Sequence, residues 1–259
     1  MQRIAQRDTK NDTSGSLYRA SVLLREVAAA GEEGCAVAEL VARSGMARPT
    51  VYRVCAMLQE LGWLERNPES RRFTLGSDLA ILGLAAQQRH PLESIARPVL
   101  EDLSQNIEQT IYFLGRRGNE AVCLARVDGR GPVRTLLLEV GMRWPLGRGA
   151  AGMAILAGLP DDQIETVIAK NLPFLKTETE AQLRARVKKT RAVGHAYHRG
   201  LILPGMVGIG AAVHDPAGNP VASVSCSYVA DWMDDTAQAR CTQAILDTAA
   251  TISARLATA

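Results

Sequence analysis

Between Met46 and Leu61 (MARPTVYRVCAMLQEL), Val51, Val54, Cys55, Leu58 and Leu61 recur at helical spacing and form one apolar stripe. Pro49 suits a first helical turn, and Gly62 suits a left-handed helix end. The opposite face presents Arg48, Thr50, Tyr52, Arg53 and Ala56. Upstream, Leu17, Ala20, Leu24 and Val27 predict a helix from Ser16 to about Ala30, with Ser16 as its cap. Val37, Leu40 and Val41 predict a short second helix over 37–43, which lacks a capping side chain at Ala36. Ser44-Gly45-Met46 is a tight turn, so the order is helix, glycine turn, helix.

After Gly62 the period changes. Trp63–Arg66 and Arg71–Leu75, joined by Asn67-Pro68-Glu69-Ser70, predict a hairpin whose tip is flanked by Arg66, Arg71 and Arg72. Strand alternation sends Arg71 and Arg72 to opposite faces, so one of them is expected to reach a phosphate. Ser77 can cap a helix to about Gln88, with Leu79, Leu82 and Ala86 apolar, ending before His90-Pro91. It is apolar enough to pack on a partner chain.

From Pro91 helical and strand periods mix. A helix is expected over 92–106 (Ile95, Val99, Leu103), and strands over Gln109–Leu114, Ala121–Val127 and Thr135–Val140. Arg116-Arg117-Gly118-Asn119 turns between the first two strands. Gly147–Gly152 reads as a small-residue loop running into an apolar helix that ends near Leu159. Further helices are expected over 161–170 and 178–193, strands over Val207–Val213 and Val221–Ser227, and a closing helix over 234–256. Asp215-Pro216-Ala217-Gly218 is a strong turn between the last two strands. The class is α+β, organised as a tail (1–15), a winged helix-turn-helix (16–76), a linker helix (77–90) and a larger domain (91–259). No repeat at a solenoid period occurs.

The 259 residues carry a formal charge of +3, too small by itself to mark a nucleic-acid binder. The placement is more telling. From Arg43 to Arg72 the cations are Arg43, Arg48, Arg53, Arg66, Arg71 and Arg72, against Glu60, Glu65 and Glu69. No apolar run is long enough to span a bilayer, and the polar N-terminus lacks a signal core, which points to the cytoplasm. Five widely spaced cysteines without a Cys-x-x-Cys pair and four scattered histidines exclude a finger-type zinc site and suggest reduced, buried thiols. Neither a metal nor a cofactor is expected.

The Gly147–Gly152 loop could cradle an anion through its N–H groups, or simply allow close helix–sheet packing. It lacks the Lys-Ser/Thr of a phosphate-binding P-loop and the strand and acidic residue of a dinucleotide fingerprint. Arg148 could pair with a carboxylate. A catalytic reading of His195 and His198 would need Ser225 or Cys226 within reach. Cys123 and Cys226 fall in expected strands and read as core.

The span from Leu17 to about Met233 resembles the IclR family of bacterial transcription regulators. The N-terminal match rests on ELVARSGMARPTVYRVCAMLQELGWLERNPESRRFTLG, residues 39–76. The C-terminal match rests on Gly141–Leu146, Gly152, Gly194-His195-Ala196, and Asp215-x-x-Gly218 before Val221–Ser225. The resemblance implies a DNA-binding winged domain and a GAF-like effector domain with a mainly antiparallel sheet flanked by helices, in a dimer or a dimer of dimers. By position it makes Arg48, Thr50, Tyr52 and Arg53 recognition-helix residues. Ala150, Ala151 and Gly152 match the effector loop, and His198, Ser225 and Ser227 match cavity positions. The chain departs from the family pattern at Gly147-Arg148-Gly149, at Tyr197–Gly200 and at Gly208.

The expected function is a ligand-responsive, sequence-specific transcriptional regulator, not an enzyme. It would bind double-stranded DNA at an inverted-repeat operator through Arg48, Thr50, Tyr52, Arg53, Arg71 and Arg72. A small organic acid effector would sit near Arg148, Ala150–Gly152, His198, Ser225 and Ser227. The competing readings are a small-molecule enzyme with an N-terminal regulatory winged module, and a winged domain used for protein contacts.

Overall fold

Leu23, Val27, Leu40, Val51, Val54, Cys55, Leu58, Leu64 and Phe73 close the core of the N-terminal unit in a computed structural model that describes residues 15–87, 89, 91–131, 137–175 and 178–258. These residues lie on α1 (Ser16–Ala29), α2 (Val37–Ser44), α3 (Arg48–Glu60) and the strands β1 (Leu64–Arg66) and β2 (Phe73–Leu75). Helix α1 begins one residue after its N-cap Gly15, so Ser16 is its first residue rather than its cap. Leu23 replaces Leu17 on the buried stripe. Leu17 lies a turn before the contact begins and is 85% exposed. Leu61, the last residue of the α3 stripe, is likewise exposed. Gly45 and Gly62 both take left-handed conformations (φ 67°), ending α2 and α3 as their spacing predicts.

The hairpin β1–β2 is antiparallel, with Glu65 opposite Thr74, and is tied to the helices by an isolated bridge. There Cys35 N–H donates to Phe73 O and Phe73 N–H donates to Cys35 O, each at 2.8 Å. Helix α4 (Ser77–Gln87) follows. Leu79 is half-buried on it, whereas Ile81, Leu82, Leu84 and Ala86 are exposed. Residues 1–14 of the expected tail (1–15) and the expected end of this helix at Gln88 lie outside the described residues.

The chain divides into two compact units after Ala86, inside α4. The second unit is a six-stranded sheet in the order β5-β4-β3-β8-β7-β6, every neighbouring pair antiparallel. The strands are β3 (Ile111–Arg117), β4 (Glu120–Val127), β5 (Arg143–Pro145), β6 (Ala196–Arg199), β7 (Met206–His214) and β8 (Pro220–Val229). One face carries α5 (Leu92–Ile107) and α9 (Asp235–Leu256), with Ala96, Leu100, Phe113, Val224, Ile245 and Ile252 between them. The other carries α6 (Gly149–Gly158), with α7 (Asp161–Asn171) and α8 (Glu180–Val193), around Leu114, Leu146, Met153, Ile155, Leu156 and Leu183. Among the described residues no helix is long and apolar enough to cross a membrane.

Three expectations are corrected. The described part of the expected strand Thr135–Val140 is irregular, and its first two residues lie outside the described set. The sheet edge is instead β5, where the diagonal Arg143–Glu120 ion pair (3.0 Å) and the terminal Pro145, opposite Glu120, both suit an edge strand. Helix α5 is rotated: Ala96 and Leu100 are fully buried, whereas Ile95 and Val99 are half-buried. Gly149–Gly152 is the first turn of α6 rather than a loop before it.

Candidate DNA-contact surface and effector cavity

In the winged unit, burial of Val51, Val54, Cys55 and Leu58 turns Arg48, Pro49, Tyr52, Arg53, Ala56 and Met57 of α3 outward. Thr50 is half-buried at the N-terminal edge. The Arg48 guanidinium lies 5.7 Å from the centre of the Tyr52 ring, and Arg48 lowers the Tyr52 phenol below its ordinary range. This face offers cations, a phenol and a hydroxyl at the start of a helix, where the macrodipole favours phosphate.

At the hairpin tip, Asn67 Oδ1 accepts from the N–H groups of Glu69 and Ser70, both at 2.9 Å. Arg71 adopts φ 59°, uncommon for a residue with a Cβ, and its side chain is exposed. Arg72 turns back into the domain. Its Nε donates to Glu33 O (2.9 Å), and its Nη2 pairs with Glu39 Oε2 (2.8 Å). Glu39 also accepts from the Ala36 N–H at 2.8 Å, which supplies the start of α2 with an acceptor that Ala36 cannot. Those two interactions, the backbone bond first, hold the Glu39 carboxyl below its usual range. Of the two wing arginines, Arg71 is therefore the one left facing solvent, and Arg72 holds the wing to α2.

In the sheet unit, Ala222, Val224, Cys226 and Tyr228 of β8 join the α5–α9 core. Alternation puts Ser223, Ser225 and Ser227 on the α6 side. Opposite them on β7 stand Ala212, Gly210 and Gly208. These small residues let α6 approach closely, since a Cβ on Gly210 would lie 2.9 Å from the Ala150 carbonyl carbon. At the mouth of this contact lies a cavity of about 30 Å³ whose walls include Tyr112, Trp144, Ala150, His198, Ser225 and Ser227. An adjoining outer chamber of about 290 Å³ is lined by Phe174, Leu175, Glu178 and Leu201. Arg148, Gly149 and Ile202 line both.

Arg148 is the N-cap residue of α6, and its side chain does not cap. Its guanidinium stacks 4.2 Å from the Trp144 ring centre. Burial lowers its pKa, and among the described residues no carboxylate pairs with it. His198 lies over Gly208, where a Cβ would come within 2.4 Å of its Nε2. Its buried Nδ1 has no partner among the described residues. Burial, reinforced by the nearby Arg186 cation, pushes His198 down to about 4, so the ring is neutral at physiological pH. Behind the loop, Arg186 pairs with the nearly buried Glu178 and donates to the carbonyls of Gly147 (3.3 Å) and Gly149 (3.2 Å).

The structure thus brings Arg148, Ala150, Ala151, His198, Ser225 and Ser227 together. Gly152 is not among the lining residues. It sits against Pro145 O and Gly147 N, where a Cβ would find 3.2 Å and 3.3 Å, so its smallness serves packing. Sequence reasoning missed Tyr112, Glu178 and Arg186 as members of this site. Pairing between Glu178 and Arg186, eight residues apart across the start of α8, leaves no periodic signature. Cys226 borders the cavity, but the catalytic reading loses its thiol, because the Cys226 Sγ lies against Cys241 Sγ (3.5 Å) in the core on the far face of the sheet. Cys123, also free and buried, is pushed up to about 12 by burial. Among the described residues no group of three or more His, Cys, Asp or Glu could hold a metal ion.

The model for the IclR helix-turn-helix domain matches residues 16–68, and the model for the bacterial transcriptional regulator IclR C-terminal domain matches residues 84–254. The HTH-type transcriptional regulator KipR of Bacillus subtilis is 34% identical over 132 residues, 51% of this chain and 52% of the relative. The chain thus spans about half the length of the first curated relatives it matches. The crystal structure of an IclR-type regulator from Alicyclobacillus acidocaldarius superposes with TM-score 0.78 at 22% identity, covering 93% of this chain and 98% of the other. That of an IclR homologue complexed with 4-hydroxybenzoate from Microbacterium hydrocarbonoxydans gives 0.75 at 20%, covering 93% and 99%. Both show the same fold. The matched families and curated relatives are regulators, not enzymes.

Proposed function

The chain belongs to the IclR family of bacterial transcriptional regulators, and from that membership we propose a sequence-specific regulator whose operator affinity is set by a small organic acid. Two winged units in a symmetric dimer read the halves of an inverted repeat in successive major grooves. Arg53 and Thr50 contact base edges, Tyr52 supports Arg48, and Arg48 and Arg71 bind phosphates. The exposed Ile81, Leu82 and Leu84 of α4 favour a homodimer, since apolar side chains grouped on one helix mark an interaction surface. A dimer of dimers is compatible with the same surfaces.

One observation carries the effector assignment: Arg148 stacks on Trp144 at the wall common to both chambers, and among the described residues no carboxylate is paired with it. A part-buried cation of this kind is complemented by an anion. The uncapped start of α6 adds its dipole at the same place. A structural neighbour carrying 4-hydroxybenzoate holds an acid of this class. The acid alters operator affinity only by binding one arrangement of the dimer more tightly than the other.

Arg53→Ala is expected to abolish specific operator binding in a titrated gel-shift assay while the dimer stays folded; retained binding would remove Arg53 from the interface. Arg148→Ala is expected to weaken calorimetric binding of the acid and leave effector-free DNA binding intact. The enzyme alternative would require turnover of the bound acid, which a sensor lacks.

A further inference from the structure

We propose that the cavity is built for a monoanion and that Glu178 is the residue that rejects a second negative charge. The inference rests on the effector reading and adds a charge rule to it.

The rule follows from the charged groups that meet the two chambers. Arg148 lines both and has no acid partner among the described residues. Glu178 lines the outer chamber, yet its side chain is only 6% exposed. Its carboxylate is held by Arg186, whose side chain is 18% exposed. The two terminal nitrogens of the Arg186 guanidinium are engaged by Glu178 and by the carbonyls of Gly147 and Gly149, while its buried Nε has no hydrogen-bond partner among the described residues. Among the described residues, Arg186 and Glu178 therefore offset each other and leave the single positive charge of Arg148 for a ligand. His198, the other ionisable ring at the inner wall, is neutral and offers an unpartnered Nδ1. As an acceptor that atom suits a ligand hydroxyl, and a neutral ring adds no charge to hold a second carboxylate.

The geometry also explains why this carboxylate is kept. By holding Glu178 and the two carbonyls together, Arg186 pins the backbone that opens α6, so Glu178 cannot swing away from an incoming dianion without freeing that backbone. A second carboxylate in the outer chamber would face the Glu178 oxygens in a part-buried setting, where like charges repel far more strongly than in water. An acid that places its single carboxylate on Arg148 and an apolar body against Trp144 and Ile202 meets no such opposition.

The test is calorimetric titration of the full-length dimer at neutral pH with three probes of one shape: benzoate, monomethyl phthalate and phthalate. Butyrate, monomethyl succinate and succinate form a parallel aliphatic series. The monoesters are as large as the dianions but carry one charge, so they separate charge from size. In each series the two monoanions are expected to bind, and the dianion at least roughly tenfold more weakly. Glu178→Gln is expected to close most of that gap, by strengthening dianion binding several-fold more than it strengthens monoanion binding. A dianion that binds the unaltered protein as well as its monoester overturns the proposal. So does a monoester as weak as its dianion, which would make the discrimination steric. The unaltered protein alone decides both outcomes should Glu178→Gln fail to fold. If none of the six acids binds, the effector reading itself falls; if acids bind without regard to charge, only the Glu178 rule falls.

Discussion

Arg71 and Arg72 are neighbours of identical chemistry with different employments. Arg72 is engaged with Glu39, Glu33 and Gly34, while Arg71 points outward from the hairpin tip. Arg71→Ala is expected to lower the slope of log affinity against log salt by about one, because one phosphate contact is lost. Arg72→Ala is expected to leave that slope unchanged and to lower the stability of the winged unit by about 1 kcal/mol, read by denaturant unfolding. Equal slopes for both variants would reverse the assignment. His198 makes a second residue-level prediction. Its folded pKa of about 4 lies below the ordinary 6.5, so the unfolded chain binds more protons between those values. Stability is therefore expected to fall as pH drops from about 6.5 to about 4, by on the order of 2 kcal/mol from this group. His198→Gln should flatten that part of the profile in urea titrations at several pH values.

At the scale of elements, α6 and the β7–β8 pair form the contact on which the cavity depends. The helix is apolar all round and nearly every residue of it is buried, as expected of a segment enclosed by a sheet and other helices. Its first turn rests on Gly210, where an added Cβ would meet the Ala150 carbonyl carbon at 2.9 Å and the Ala151 nitrogen at 3.2 Å. Gly210→Ala is expected to push the start of α6 outward, at a cost of about 1–3 kcal/mol. Acid binding should weaken together with the unfolding midpoint. A variant with unchanged stability and unchanged binding would show that the helix has slack at this point. Most of these elements were readable locally: the α3 stripe, the two glycine helix ends and the Asp215–Gly218 turn all lie where their spacing predicts. Strands β5 and β6 were not readable. Each is short, and each exists because a longer neighbour, β4 or β7, offers it an edge.

For the whole molecule, the two units have separate cores, and each carries one of the two proposed recognition surfaces. The winged core is closed by helices and one small hairpin, while the sheet unit has a core on each face. This division suits a regulator, because a surface for nucleic acid and a cavity for a small acid place different demands on packing. The first needs cations held outward by a firm base. The second needs small residues that leave room beside a close helix–sheet contact. On the proposed reading, linkage between the surfaces is a matter of how a bound acid biases a dimer, expected to be measurable as a change in operator affinity across an acid titration.

By itself the amino-acid order determined the periods: which segments are helical, which are extended, which face of each is apolar, and where glycine lets the backbone reverse. Those properties depend on residues two to four positions apart, so they are written locally. The order also pointed to Arg48, Arg53 and Arg148, and its resemblance to a known family to His198, Ser225 and Ser227. Only the tertiary structure decided that Arg72 is spent on Glu39, that Gly152 serves packing, and that Glu178 meets Arg148 across one chamber. Two of those outcomes join residues 30 or more positions apart, Arg72 to Glu39 across the winged unit and Glu178 to Arg148 through the seating of α6 and α8 on the sheet, and the third depends on how the Pro145–Gly147 turn folds back on α6. Spacing along a chain carries no record of such meetings, because they arise when separate apolar faces are buried against one another.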